Sequence, residues 1–421
     1  MKILQIHKYY SKKRGGGSVS AFFETKELLE SMGHEVMVFA MHDPDNEYAR
    51  ENVYFAEHFD IRATKNMWQK IRLLPRVLYN REAMKKLDLL LQKKKPDVAH
   101  VHNIYHYLTP GIFRVLKKHG VPIVFKLSDY HAICPNYTLF SHGKIDNSCQ
   151  NGSYYKIFLN KSIDNSWSES FVGMIEGYVN RWRRFYDDVD IFVAPSEFMR
   201  NICVTYGIPA EKIVILRNVL NFRSYPEQTV PKSHFFLYMG RIAQEKGLPV
   251  LIAAIQKLKE RGTLGEWRCV IAGKGPEENR LRDLVHKEGL VDVISFAGFH
   301  QKGSREWFML MQQAAVAVLP SVWYDNSPIA ISESMACTTP VIVSDAGGTK
   351  EMIEDGVSGY VFQSEDAANL ADKMQKFIDD PSLGERMGVS ARERVSAINN
   401  EKIYYTRLMD IYDKAIKKHT T

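Results

Sequence analysis

Cysteine is scarce in this chain. Five occur among 421 residues (Cys134, Cys149, Cys203, Cys269 and Cys337), at spacings that fit no set of metal ligands. Cys134 and Cys149 are the only two near a stretch rich in Asn, Ser and Lys, and two thiols cannot close a zinc site, so no metal is expected there. The other three lie in apolar contexts and read as buried thiols. A reduced, cytosolic chain is the simplest reading. Long apolar runs are missing as well: none approaches the roughly 20 residues that a membrane span needs. The opening MKILQIHKYY lacks a secretory-signal pattern and reads as a first strand. There is no internal repeat and no low-complexity tail. Nor does an Asp-x-Asp stand convincingly at a strand end, since Asp188-Val189-Asp190 precedes a strand and reads as surface charge.

The length of 421 residues suits two domains with full cores, and 45% hydrophobic with 25% charged residues is ordinary for globular proteins. The net charge of +7 is unevenly placed: Lys65 to Lys95 holds ten basic residues against Glu82 and Asp88, so this segment carries +8 and the rest about −1. Trp68, Leu73, Leu74, Val77 and Leu78 interleave with the charge, and Pro75 should divide the segment into two helical pieces. Basic residues with an apolar face suit an anionic membrane surface; a solvated helix face is the plainer alternative. No recognisable nucleic-acid module accompanies the charge, so no nucleic-acid partner is expected.

In order, Lys2–His7 is a strand, Gly15-Gly16-Gly17-Ser18 a loop, Ser18–Met32 a helix closed by Gly33, and Glu35–Ala40 the next strand. This βαβ opening predicts an α/β protein with parallel sheets. The loop is not a dinucleotide fingerprint, because Ser20 stands where the third glycine would fall; Asp43 alone keeps an NAD reading open. Gly16 and Gly17 let backbone amides approach a phosphate or sugar, or form a tight turn. Further strands are read at 97–100, 121–126, 191–194 and 213–216, with helices at 110–119, 171–187 and 195–206 between them. Residues 138–168 look like an insertion, and the loosely patterned 220–233 like a linker.

The second half repeats the alternation, with strands at 235–239, 268–272, 294–297, 315–319 and 340–344. Gly240-Arg241 and Lys246 sit between the first of these and a helix at 248–261. Two cations at a strand's carboxyl end suit a diphosphate. Gly273-Lys274-Gly275-Pro276 and Gly298 mark the next two strand ends, as close backbone approach to a ligand or as tight turns. The loop after 315–319 holds Asp325, Asn326 and Ser327. Ser327 is a plausible N-cap, and Pro328 and Ile329 open a helix that carries Glu333. Two acids seven residues apart across this junction, beside free N–H groups at a helix start, could hold the hydroxyls and the phosphates of one ligand. Nucleotide sugars are such ligands.

The stretch from Val316 to Gly348, with the Gly240-Arg241 and Glu245-Lys246-Gly247 phrases in register before it, resembles the retaining GT-B glycosyltransferases of family 4. The resemblance covers nearly the whole chain and is strongest from Leu237 to Phe362. It implies two Rossmann-like parallel-sheet domains facing a deep cleft. An acceptor-binding domain would span 1–219, ending at the turn Arg217-Asn218-Val219, and a nucleotide-sugar-binding domain 234–400. The last helix, 401–421, would cross back onto the first domain. It further implies a metal-independent hexosyl transfer with retention from a nucleotide diphosphate sugar, UDP-sugar favoured and GDP-sugar next, with no cofactor. The acceptor would be a glycan or a lipid-linked one in cell-surface polysaccharide synthesis, on a cytoplasmic protein that could attach peripherally to the inner face of the plasma membrane. Arg241 and Lys246 would grip the diphosphate, Glu333 the ribose, and Asp325 the donor sugar, where the family usually has Glu. Gly16, Gly17, Gly240, Gly273, Gly275, Pro276, Gly298, Asn326, Ser327, Pro328 and Ile329 would line the donor. Leu127-Ser128-Asp129-Tyr130-His131 resembles a His-Asp-Tyr segment near the sugar, with Ser128 in place of the family His. The resemblance thus carries over to Asp129, while His131 and Asn218 are further cleft candidates. A nucleotide-sugar 2-epimerase shares the architecture, and a non-catalytic sugar-nucleotide-binding protein is the other alternative.

Overall fold

Short apolar runs become the strands of two separate all-parallel sheets. A computed structural model describes residues 1–14, 16–59, 67–226 and 230–420. The chain divides into unit 1 (Met1–His142, Asp146–Val219 and Glu401–Thr421) and unit 2 (Gly143–Ile145 and Leu220–Asn400).

The sheet of unit 1 is built from β1 (Lys2–Ile6), β2 (Glu35–Phe39), β3 (Val98–Val101), β4 (Ile123–Lys126), β5 (Ile191–Ala194) and β6 (Ile213–Ile215), in the order β2-β1-β3-β4-β5-β6. Every pairing is parallel. β3, β4 and β5 are buried at every position, which is why they read as mainly apolar runs rather than alternating ones, with His100 and Lys126 the polar exceptions. Between strands run α1 (Gly17–Ser31), α2 (Met67–Leu78), α3 (Arg81–Lys93), α4 (Tyr105–Leu108), α5 (Gly111–Lys118), α6 (Tyr155–Leu159), α7 (Trp167–Arg183) and α8 (Glu197–Thr205). Side-chain caps start three of them: Asn80, Ser166 and Ser196 accept from the N–H groups of Ala83, Glu169 and Met199. The expected break at Pro75 is absent. The proline lies inside α2, and the chain turns instead at Asn80, whose side chain caps α3.

The C-terminal helix (Glu401–Thr420) packs on this same sheet. Tyr404, Leu408, Ile411, Tyr412 and Ala415, spaced as one helical stripe, join Ile3, Val98, Val124 and Val193 in one core. Polar atoms on the stripe are matched: Tyr404 Oη lies 3.0 Å from Thr25 Oγ1, and Tyr412 Oη lies 2.7 Å from His100 Nδ1.

Unit 2 orders β7 (Ser233–Met239), β8 (Arg268–Ala272), β9 (Ile294–Gly298), β10 (Ala314–Leu319), β11 (Val341–Ser344) and β12 (Gly359–Phe362) as β9-β8-β7-β10-β11-β12, again all parallel. This is the doubly wound order that reverses between its first and fourth strands, and ligands of such sheets bind outside the carboxyl ends at that reversal. In unit 2 the reversal lies between β7 and β10. Helices α9 (Leu248–Glu260), α10 (Glu278–Lys287), α11 (Arg305–Gln313), α12 (Ile329–Ala336), α13 (Ala367–Asp379) and α14 (Leu383–Ile398) cover the sheet. Leu220 and Tyr225, in the stretch read as a linker, are buried in the core of this unit.

Two other expectations fail. Cys134 and Cys149 form a disulfide, so the chain is not wholly reduced; Cys203, Cys269 and Cys337 are buried free thiols. The fold of the intervening loop brings those two Cα atoms to 6.2 Å, which spacing in sequence does not reveal. Asp188 is not surface charge: it is buried and bound by Arg114 and by Lys117 at 3.0 Å, while Asp190 Oδ2 accepts from the Ile123 N–H at 2.7 Å. Among the described residues no helix is long and apolar enough to cross a membrane.

Burial in unit 1 has a consequence for acid stability. Burial, then the neighbouring Lys8, pushes His7 down to about 3; burial, then Lys126, does the same to His100. Both imidazoles are neutral in the fold and titrate near 6.5 when unfolded. Below about pH 6.5 the unfolded chain therefore binds protons that the folded chain refuses, and stability falls by about 1.4 kcal/mol per pH unit for each histidine until about pH 3. Hydrogen exchange of the β1 and β3 amides should accelerate steadily from pH 6.5 to 5 after correction for intrinsic rates, and His100→Gln should flatten that slope. A corrected profile that is flat in the wild type would contradict the assignment.

Candidate functional site

Three loops meet where the sheet of unit 2 reverses. The first leaves β7 at Gly240 and carries Arg241, Glu245 and Lys246 before α9. The second leaves β10 at Pro320 and carries Asp325 before α12. The third leaves β11 and carries Gly347 and Gly348. Backbone contacts lock them together. The Val322 N–H donates to the Glu245 carbonyl at 3.0 Å, and the Gly348 N–H to the Asp325 carbonyl at 2.7 Å. At two positions only glycine fits. Gly247 has φ +67°, and a Cβ there would lie 1.9 Å from the Pro320 carbonyl oxygen. Gly347 has φ +75°, and its Cβ would lie 2.3 Å from the Asp325 carbonyl oxygen. These contacts fix the backbones on which Lys246 and Asp325 stand.

Lys246 Nζ is 2.5 Å from Asp325 Oδ2, to which Ser321 Oγ also donates at 3.2 Å. The same ammonium lies 5.2 Å from the Trp323 ring centroid. Arg241 is exposed and pairs with the buried carboxylate of Glu245. Tyr238 Oη donates to the Arg241 carbonyl at 2.6 Å; burial, then Asp325 and Glu245, drives that phenol far above its ordinary value, so it stays a donor. Glu333 is buried in α12 and bound to Lys302 at 2.8 Å.

Gly240, Gly273, Gly275 and Gly298 form a second backbone lattice at the ends of β7, β8 and β9. Gly240 N–H donates to Ala272 at 3.0 Å, and Gly273 N–H to Gly298 at 2.7 Å. A Cβ on Gly273 would come within 1.8 Å of the Gly240 carbonyl, so the close approach is of loop to loop. Pro276 follows in the same loop. Asn326 is buried, and Ser327, Pro328 and Ile329 are half-buried. Ser327 does not cap α12: Pro328 occupies the N-cap, and Ser327 Oγ contacts Met352 Sδ at 3.8 Å.

The other candidates lie in unit 1. Asp129, just past β4, accepts from Asn103 Nδ2 at 2.8 Å, from the His131 N–H at 3.0 Å and from Tyr105 Oη. Tyr105 adopts φ +40°, an uncommon backbone for a non-glycine residue, and Lys8 Nζ stands 3.6 Å from its ring centroid. The His131 ring nitrogen is 3.0 Å from Glu176. Gly16 and Gly17 open α1, with Gly16 at φ +89°. Asn218 is half-buried after β6. Asp43, on which the NAD reading rests, is engaged by Arg14 and by the Asp45 N–H.

Of the basic segment, Lys65 lies outside the described residues, as do the side chains of Trp68, Lys70 and Arg72. Acids from beyond the segment partly neutralise the remainder: Arg76 meets Glu57 at 3.7 Å and Lys94 meets Glu51 at 2.6 Å. Glu245, Lys302, Tyr105 and Glu176 were not candidates from the sequence. Glu245 stands inside the Glu-Lys-Gly phrase and could have been; Lys302 and Glu176 carry no local signal.

The model for Glycosyltransferase Family 4 matches residues 15–222, and that for Glycosyl transferases group 1 matches 223–394. A putative colanic acid biosynthesis glycosyltransferase, WcaL of Salmonella typhimurium, is 30% identical over 248 residues, which is 56% of this chain and 60% of WcaL. The chain thus spans less than two thirds of that curated relative. The sucrose-phosphate synthase structure from Thermosynechococcus elongatus superposes with a TM-score of 0.67 at 17% identity, covering 98% of each chain. Anabaena HepE in complex with UDP-glucose gives 0.62 at 16%, covering 97% of this chain and 98% of HepE. Identities this low speak for the fold alone, which is GT-B: two Rossmann-like parallel-sheet units with C-terminal helices. With two adjoining family models accounting for residues 15–394 and the Lys246–Asp325 pair at the reversal of the second sheet, the chain belongs to the family 4 glycosyltransferases, glycosyl transferases group 1.

Proposed function

We propose that this protein is a retaining glycosyltransferase that moves a sugar from a nucleotide diphosphate sugar to a glycan or lipid-linked acceptor in cell-surface polysaccharide synthesis. The observation that carries the reading is the set of Arg241, Lys246, Asp325 and Glu333 on loops and a helix at the reversal of one parallel sheet. UDP-sugar is the favoured donor, supported by HepE having been solved with UDP-glucose, and GDP-sugar is next. The polysaccharide context is supported by WcaL.

Breaking the bond from the anomeric carbon to the diphosphate sends an electron pair to the leaving phosphate. Arg241 and Lys246 would neutralise that charge without a divalent ion on the diphosphate. Glu333 would accept from the ribose hydroxyls and Asp325 from those of the sugar. The acceptor oxygen would bond to the anomeric carbon on the face the phosphate leaves, and its proton would pass to that phosphate. For Asp129 we infer a role toward the transferred sugar. Arg81, Lys85 and Lys93, exposed on α3, are offered as a contact to an anionic membrane bearing the acceptor, on the cytoplasmic face.

Arg241→Ala and Lys246→Ala should each lower the transfer rate by on the order of 10²-fold, in a radiolabelled-donor assay run across UDP- and GDP-sugars. Wild-type turnover in either variant would remove that residue from the chemistry. Conversion of the donor to an epimer with no acceptor present would contradict transfer itself. The transfer rate should also be the same whether magnesium or manganese is added or withheld. A rate that appears only on adding manganese would place an ion on the diphosphate and overturn the roles of Arg241 and Lys246 as its counter-charges.

A further inference from the structure

One buried group of ligand-type side chains is not used by the transfer chemistry. His106 on α4, His131 on the loop after β4 and Glu176 on α7 each offer one donor atom, and these atoms lie within 4.8 Å of one another. His131 and Glu176 are buried, and His106 is partly exposed.

The neighbourhood explains why the three converge. On α7, Gly173, Glu176, Gly177 and Asn180 share one buried face at helical spacing. A Cβ on Gly173 would lie 2.3 Å from Ile163, and one on Gly177 would lie 2.6 Å from the Tyr154 ring. These two glycines let the 138–168 insertion close on the helix and hold Glu176 inward. His131 is held from the other side, because its N–H donates to Asp129 and its ring lies 4.9 Å from that of Tyr105.

An ordinary ion pair of His131 with Glu176 would satisfy both side chains only if the ring N–H pointed at the carboxylate. Nε2 and Oε1 are 3.0 Å apart and form an ion pair, but the contact is poorly directed for a hydrogen bond and both atoms are sealed from solvent. A buried carboxylate oxygen and a buried imidazole nitrogen left in that state are costly. Two nitrogens and one oxygen are the ligand types of a borderline cation, which would satisfy both atoms at once as the three side chains draw in around it. We propose that His106, His131 and Glu176 bind one divalent cation of the zinc class, with a fourth position left to water. Bound there, the cation fastens α4, the β4 loop and α7 to one another. Two of its ligands adjoin the groups that hold Asp129, so it acts as a positioning element for that carboxylate.

This departs from the expectation of a chain without metal. That expectation rested on the cysteine pair and on the missing Asp-x-Asp; neither bears on a set drawn from three separated segments. The site lies wholly in unit 1; it rests on the transfer reading only in positioning Asp129, and the binding of Zn²⁺ is tested without any donor.

The test uses untagged full-length protein stripped with dipicolinate and titrated with Zn²⁺ by calorimetry, and with Co²⁺ followed by visible absorption. The wild type should bind one equivalent of Zn²⁺, gain thermal stability in its presence and show the ligand-field bands of a low-coordinate Co²⁺ site. Glu176→Gln and His131→Gln should each weaken the Zn²⁺ affinity by at least about 100-fold, the upper end of what losing an outer-shell partner costs. His286→Gln, at an exposed histidine of α10, should bind like the wild type. Circular dichroism shows whether each variant is folded. If the folded wild type binds no stoichiometric Zn²⁺, the proposal fails whatever the variants do. It also fails if folded Glu176→Gln binds with unchanged affinity.

Discussion

An ammonium and a carboxylate 2.5 Å apart, Lys246 and Asp325, join the ends of two strands that are neighbours in the sheet but far apart in sequence. Neither can be removed without leaving the other poorly compensated, and Asp325 is buried. An ammonium has three donors, so Lys246 can keep Asp325 and still offer N–H groups to an anion. In the proposed transfer Asp325 would aim the cation, which would then need no reorganisation as charge develops on the leaving group.

The sheet explains why these side chains meet. Parallel strands all present their carboxyl ends on one edge, and the strand order of unit 2 reverses beside β7, so the β7 and β10 loops diverge there. Glycine then decides how closely they approach. Side chains at Gly247 and Gly347 would overlap carbonyl oxygens of the neighbouring loop, which separates the backbones carrying Lys246 and Asp325. Unit 1 solves a similar problem with polar side chains: Asn103, Tyr105 and the His131 N–H converge on Asp129 from the ends of two strands.

Local signals carried most of the strand positions. The run Arg268–Ala272 is the strand as read, and Ala314–Leu319 differs by one residue, because a strand buried on both faces is an apolar run bounded by turn residues. Arg241 and Asp129 could be placed near strand ends for the same reason, whereas Lys246 and Asp325, further along their loops, were singled out by the family phrases around them. Pairings across long separations were not legible. Lys302 meets Glu333, Glu176 meets His131, and Cys134 joins Cys149 only because of how intervening segments pack. Asp188 misled for the same reason: its partners, Arg114 and Lys117, come from a different helix. Pro75 misled in another way, since a proline near a helix end is tolerated when a cap such as Asn80 sets the real boundary.

What the account requires above all is that the end of the unit 2 sheet be a nucleoside diphosphate site. Calorimetric titration of the intact protein with UDP and then with GDP tests this without an acceptor or a known sugar. The account predicts that one of the two binds at one equivalent, and that Lys246→Ala weakens it by about 100-fold, close to the 3 kcal/mol expected for a lost charge-assisted contact. Binding of neither nucleotide, or an affinity unchanged in the Lys246 variant, would contradict it.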